Sequence, residues 1–461
     1  MSNITANDVS TCNGYSENRA APSVNVTEIH LKRNQLIGRA TQVFFPDKPL
    51  YIARGKGQYL YDENDVQYLD LMNNVAHVGH CHPKVVASGS HQMSILSTNC
   101  RFLHEDIVKV ASKLTEKLPE KLKVCFFTNS GTESNDLAMR LAETYTKHKD
   151  VVVIDDAYHG HSVSLIDISP YKFKLLGFQK DYVHVVPRPD VYDGMFKGDH
   201  NDPLIGEMYA DEAIKVMDNA VKNGRKIGMF IAESLLSCGG QTILPNGYLK
   251  KIYKHVHDLG GVCVADEVQV GLGRLGKEGY WGFERQGVVP DIVTIGKPLG
   301  NGHPVSCVVT TNEIAEAFER TKVPYFSTFG GNPVSMSIAL SVLNVIEEEN
   351  LIENAEKVGN FLREELKLLQ LKFPIIGDVR GIGLFAGIVL TKNRETREPA
   401  TEIAKKVCYR MRDHRILISR DGPGENVLKI KPPMVITIED MRCFLNVLEI
   451  ILNELYEEKV L

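Results

Sequence analysis

At 461 residues the chain exceeds what one hydrophobic core usually supports, so a large and a smaller domain with room for a buried site are expected. Its net charge of -5, with 43% hydrophobic and 24% charged residues, offers no basic surface for nucleic acid, and no apolar run approaches the ~20 residues that span a bilayer. Nine cysteines, odd in number and without a Cys-x-x-Cys pair, predict reduced, buried thiols in a soluble intracellular protein of the cytoplasm or mitochondrial matrix, not a secreted one.

Residues 1–30, rich in Ser, Asn, Thr and Ala and without the apolar centre of a secretory signal, read as a disordered tail. In 55–70, Tyr59, Tyr61 and Tyr68 alternate around charges, which predicts antiparallel strands in the segment 31–75 that opens the smaller domain. From 76 to 345, β-branched or aromatic runs alternate with amphipathic stretches, the pattern of a mostly parallel sheet covered by helices. Strands are expected at 124–128, 151–154, 229–232, 262–265, 292–295 and 305–309, with helical spacing at 213–221 and 248–257. Residues 346–461 complete the smaller α+β domain, built from both ends of the chain, with an antiparallel segment at 381–390. Helices at 335–349, 353–369 and 440–455 belong with it. The fold class is therefore α/β.

Four local patterns carry chemistry. After the first strand of the large domain, Ser130-Gly131-Thr132-Glu133 has the spacing of a capping box that opens a helix, so backbone N–H groups and two hydroxyls can receive a phosphate. An ordinary cap would look the same. Asp156-Ala157-Tyr158-His159-Gly160-His161 follows a strand and supplies an aromatic ring able to stack on a planar cofactor. Asp266-Glu267 ends another strand, where open α/β sheets bind ligands, and suits a carboxylate facing a pyridine nitrogen. Lys297 follows a fourth strand inside a glycine-rich loop, where desolvation would free its amine for Schiff-base formation and base chemistry. The four converge on pyridoxal phosphate (PLP). No metal is expected: the pairs His80/His82 and His159/His161 lack partners at zinc spacing. Gly271-Leu272-Gly273-Arg274-Leu275-Gly276-Lys277 matches nucleotide-loop lettering, but Glu278 stands where a Mg²⁺-binding hydroxyl should follow.

In order along the chain, Gly-His-x-His-Pro, Ser-Gly-Thr-Glu-Ser, Tyr-His-Gly, Asp-Glu-Val-Gln, Gly-Lys-Pro and Thr-Phe-Gly-Gly-Asn-Pro make residues 35–455 resemble the class III aminotransferase family of fold-type I PLP enzymes. The resemblance implies a homodimer with active sites at the subunit interface. It implies that Lys297 is the Schiff-base lysine, that Asp266 pairs with the pyridine nitrogen and that Tyr158 stacks on the ring, with His159 and Glu233 beside it. Ser130, Gly131 and Thr132 would hold the cofactor phosphate, joined by Thr328 from the partner subunit, and Gln269 would lie near the phenolic oxygen.

Two departures from the family pattern bear on the reaction. Where amino-group-shuttling members carry Glu-Pro-Ile-Gln-Gly-Glu, this chain has Glu233-Ser234-Leu235-Leu236-Ser237-Cys238, and lysine replaces the late carboxylate-clamping arginine in Val427-Leu428-Lys429-Ile430-Lys431-Pro432-Pro433. A lysine serves a phosphate as a point charge but lacks the planar fork for a carboxylate. These features resemble the phospho-lyase branch, which implies elimination of phosphate from a phosphorylated amine, O-phosphoethanolamine before 5-phosphohydroxy-L-lysine. Asn73, Arg420, Lys429 and Lys431 are the candidate substrate contacts. Alternatives are a class III transaminase of alanine-glyoxylate or ω-amine type and a catalytically silent binding protein of the same fold.

Overall fold

A computed structural model describes residues 24–458. Its largest sheet has seven strands, in the spatial order Val124–Thr128, Ser306–Thr310, Ile292–Ile295, Val262–Asp266, Ile227–Glu233, Asp150–Ile154 and Val183–Val186. Only Ser306–Thr310 runs antiparallel to its neighbours. Both faces are covered, which is why the central strands read as unbroken apolar runs rather than as alternating ones. Within Asp150–Ile154, Val151 and Val153 pack with Leu137 and Leu141 of the helix Gly131–Thr146. Val152 and Ile154 face the other way, onto Tyr209 and Ala213 of Pro203–Lys222 and Leu249 of Tyr248–Asp258. The two-residue period of a strand thus builds two cores from one segment.

The chain ends form two further sheets. Ile52–Lys56, Tyr59–Asp62 and Gln67–Asp70 make an antiparallel meander, and Gln67–Asp70 also takes Ile416–Leu417 as a parallel neighbour. Ile376–Ile382, Phe385–Leu390, Val427–Ile430 and Ser419–Asp421 form a separate antiparallel sheet. The two ends therefore meet as expected, but through a strand exchange between two sheets. Backbone bonds from Lys431 N–H to Leu71 O and from Met434 N–H to His77 O tie the same ends together.

Several expectations need correction. Residues 26–30 belong to the helix Val26–Leu36, not to a disordered tail, because Asn25 caps it by accepting from Glu28 N–H; residues 1–23 lie outside the described residues. The boundary set between 345 and 346 falls inside the continuous helix Pro333–Glu348, whose Val345 and Ile346 are both buried. The edge strand Val183–Val186 and the helix Thr401–Asp413 went unread, the first too short to declare a period. The thiols are free, but Cys81 and Cys100 are exposed rather than buried, and Cys12 lies outside the described residues. Among the described residues no helix is long and apolar enough to cross a membrane.

Candidate active site

The parallel strands deliver their carboxyl ends to one edge of the sheet. Asp266 and Glu233 occupy paired register positions there, so two carboxylates lie side by side. Asp266 accepts from three donors: Asn135 Nδ2 at 2.8 Å, His159 Nδ1 at 2.9 Å and the Val268 N–H at 3.1 Å. Such a set holds the group as an acceptor. The His159 contact puts that ring's proton on Nδ1 and leaves its buried Nε2 without a partner. Glu233 accepts from the N–H groups of Tyr158 (3.1 Å) and Ser237 (3.0 Å), fixing the two loops that follow neighbouring strands. Burial first, and Asp266 second, push the Glu233 carboxyl up to about 7.

Lys297 begins the short turn Lys297–Gly300 immediately after Ile292–Ile295. Burial lowers its amine below the usual lysine value, against the opposing pull of Asp266. Across the cavity, Ser130 caps the helix Gly131–Thr146 by accepting from Glu133 N–H. The Glu133 carboxylate reaches one residue further back than a capping box requires, to Asn129 N–H at 2.6 Å. Ser130, Gly131, Thr132, Tyr158, Asp266 and Lys297 all line a cavity of about 290 Å³, with Gln269 at its rim.

PLP fits these residues on three observations. A depressed amine lies in the same cavity as a triply bonded carboxylate. The phosphate end is a helix N-terminus with two hydroxyls. A Cβ on Gly131 would come within 2.6 Å of Val268 Cγ1, so this turn has room for backbone but not for a side chain.

A second group of charges adjoins Lys297. Lys431, 2% exposed, donates to Ser237 Oγ and Gln269 Oε1, each at 2.7 Å. Gln269 Oε1 also accepts from Asn74 Nδ2 at 2.7 Å. Burial lowers the Lys431 ammonium well below its ordinary value, and the cations of Lys429 and Lys297 add to the effect. Lys429 donates to Asp421 at 2.7 Å, and Asp421 accepts from Tyr171 at 3.1 Å. There burial opposes the charge, but Asp421 outweighs it and Lys429 is raised. The Cys238 thiol, beside the same groups, is pushed up to about 12 by burial and then by Asp421.

Not every expected residue joins this group. Arg420 pairs with Glu425 at 2.6 Å, because adjacent strand residues face opposite ways and Asp421 takes the inward side. Asn73 donates its backbone N–H to Asp70, while its neighbour Asn74 makes the contact with Gln269. Thr328 is exposed and lies outside this cavity's lining. Asn135, Asn74, Ser237, Tyr171 and Asp421 were missed. Asn74 is next to the expected Asn73 and Ser237 sits inside the run Glu233 to Cys238, but Asn135 meets Asp266 across 131 positions and Tyr171 meets Asp421 across 250, so no local signal marks them.

With this geometry in hand, comparison with known proteins is informative. Residues 45–452 match the family model described as aminotransferase class-III. The chain is 52% identical over 430 residues to a Drosophila melanogaster protein named alanine-glyoxylate aminotransferase 2-like, covering 92% of this chain and 87% of that one. It is 44% identical over 419 residues to the Caenorhabditis elegans ethanolamine-phosphate phospho-lyase homolog 1, covering 88% and 89% respectively. A solved phospholyase from Arthrobacter in complex with phosphoethanolamine superposes with a TM-score of 0.85 at 36% identity, covering 92% of this chain and 99% of its own.

Proposed function

The chain belongs to the class III aminotransferase family and is a PLP-dependent enzyme, and from that premise we propose that it eliminates phosphate from O-phosphoethanolamine to give acetaldehyde, ammonia and phosphate. The observation that carries this reading is the cluster of Lys297, Lys429 and Lys431, in which the buried Lys431 ammonium has only neutral hydrogen-bond partners. Lysines gathered out of water with only Lys429 directly paired to a carboxylate, that of Asp421, suit a dianion that arrives with the substrate. The relative named as a phospho-lyase homolog and the solved phospholyase support the same class.

Each residue has a task. Ser130, Gly131 and Thr132 would hold the cofactor phosphate at the helix N-terminus, with Tyr158 available to cover the ring and Gln269 in the same cavity lining. Asp266, held by Asn135 and His159, keeps a proton on the pyridine nitrogen. When bound, PLP supplies an electron sink for the pair released at the carbon bearing nitrogen. Lys297, whose amine burial lowers below the usual lysine value, would remove the proton from that carbon. Lys429 and Lys431 receive the phosphate as its C–O bond breaks, and water then releases acetaldehyde and ammonia.

The enzyme acts as a homodimer. Val86, Met93, Phe102, Leu103 and Phe329 are exposed apolar side chains, which a partner subunit would cover, and Thr328, next to Phe329 in the chain, is exposed as well. Thr328 then enters the partner's cofactor site.

Incubating the holoenzyme with O-phosphoethanolamine and no keto acid tests the reaction. Equal release of phosphate and ammonia is expected; a strict need for glyoxylate or another keto acid would establish the transaminase reading, which the relative named as an aminotransferase favours. Faster turnover of 5-phosphohydroxy-L-lysine would move the substrate assignment within the same chemistry.

A further inference from the structure

A second concavity, of about 690 Å³, lies away from the cofactor cavity, whose volume is about 290 Å³, and shares no lining residue with it. One wall comes from the loop after Val183–Val186 and from Thr242–Ile243; the other comes from the helix Leu351–Lys372 and the strand Ile376–Ile382. Its lining carries six lysine or arginine side chains against four carboxylates. Two of those carboxylates are already committed: Asp190 and Asp378 both bind Arg380, and Asp190 also binds Arg188.

The remaining cations are held by neutral acceptors. Arg285, 6% exposed, donates to Leu244 O and Asn201 Oδ1, each at 3.0 Å, and its nearest carboxylate is Glu278 at 3.7 Å. Arg363 donates to Gly383 O and Asn360 Oδ1. Arg397 donates to Tyr192 O, and its buried Nε has no partner. Lys197 and Lys367, both exposed in the lining, pair with no carboxylate among the described residues. Burial lowers Arg285 and Arg363 below the usual guanidinium value, so the charge on each arginine is held at a cost that an anion would relieve. Guanidinium groups fixed by carbonyls and amides are preorganised for phosphate or carboxylate oxygens.

We infer that this crevice is a second ligand site, for a small polyanion bearing at least two phosphate or carboxylate groups, bridging the seven-stranded sheet and the C-terminal sheet. A single phosphate would leave most of its volume and charge unused. Because the ligand spans both walls, it stabilises their packing and raises the melting temperature with concentration.

Calorimetric titration of the holoenzyme with pyrophosphate and with citrate tests this. At least one is expected to bind with a dissociation constant near or below about 1 mM. Lys197→Glu together with Lys367→Glu, both exposed and so without effect on folding, should weaken it at least tenfold, and raising the salt concentration should weaken it too. Lys429→Met, at the cofactor cavity, should leave it unchanged. Binding lost in Lys429→Met but kept in the double variant would assign the anion to the active site and overturn the inference. Failure of both probes to bind would overturn it as well. Neither outcome bears on whether the enzyme is a lyase.

Discussion

Lys431 is 2% exposed and hydrogen-bonded only to Ser237 and Gln269, so a positive charge there costs stability unless an anion comes. Lys431→Met keeps the volume and removes the charge, so the KM for O-phosphoethanolamine should rise at least ~10-fold, in line with about 1.5–3 kcal/mol for a hydrogen bond to a charged group. Steady-state kinetics would read this, while the protein folds normally. Lys297→Ala should cut turnover by at least ~10³, the scale of a lost general base, and should abolish the visible absorbance of the bound cofactor. His77 illustrates a different residue-scale effect. Its Nε2–H donates to Leu272 O at 2.9 Å and its Nδ1 accepts from Arg274 at 3.2 Å, and burial, then Arg274, hold it down at about 3. A base with a depressed folded value gives stability that is complete above its unfolded value near 6.5 and is lost as pH falls towards 3. His77→Gln can keep both bonds without titrating. Its urea midpoint should therefore fall less between pH 6.5 and pH 5, the difference amounting to about 2 kcal/mol.

Among the elements, the helix Gly131–Thr146 does most to locate the cofactor, because its first turn and the loop after Val262–Asp266 are packed backbone to side chain. Val268 fills the gap between Gly131 and Gly296, and a Cβ on either would come within 2.9 Å of it. Gly131→Ala should therefore weaken PLP retention on dialysis by at least ~10-fold, as overpacking of about 1–3 kcal/mol implies, and adding Val268→Ala should restore part of it. No restoration would mean that the glycine serves some other purpose. Legibility differed sharply between elements. The Ser130 cap was readable because a helix start is set by neighbours three residues apart. The phosphate-side lysines were readable only as letters, since Lys429 and Arg420 both lie on short strands and only register decides which one faces inward. The helix Thr401–Asp413 was missed although it is amphipathic, and its start at Thr401 has no side-chain cap to announce it.

At the level of the whole molecule, the exposed Leu103 and Phe329 and the helix Val26–Leu36, which buries no residue of its own, are the surfaces that the proposed homodimer would cover. Leu103→Asp should shift the enzyme towards monomer in size-exclusion chromatography coupled to light scattering. Cofactor occupancy should fall with it, because Thr328 then has no partner site to complete. The amino-acid sequence by itself determined what depends on near neighbours and residue type: the alternation of strands and helices, the helix start at Ser130, the carboxylate at the end of one strand and the lysine at the end of another. These follow from backbone periodicity and capping, which act within a few residues. The tertiary structure alone decided which distant groups meet: Asn135 and His159 on Asp266, Asn74 and Lys431 on Gln269, Tyr171 and Lys429 on Asp421. All but the Lys429–Asp421 pair join positions 107 to 250 apart, and all depend on strand order and register, which no local pattern encodes.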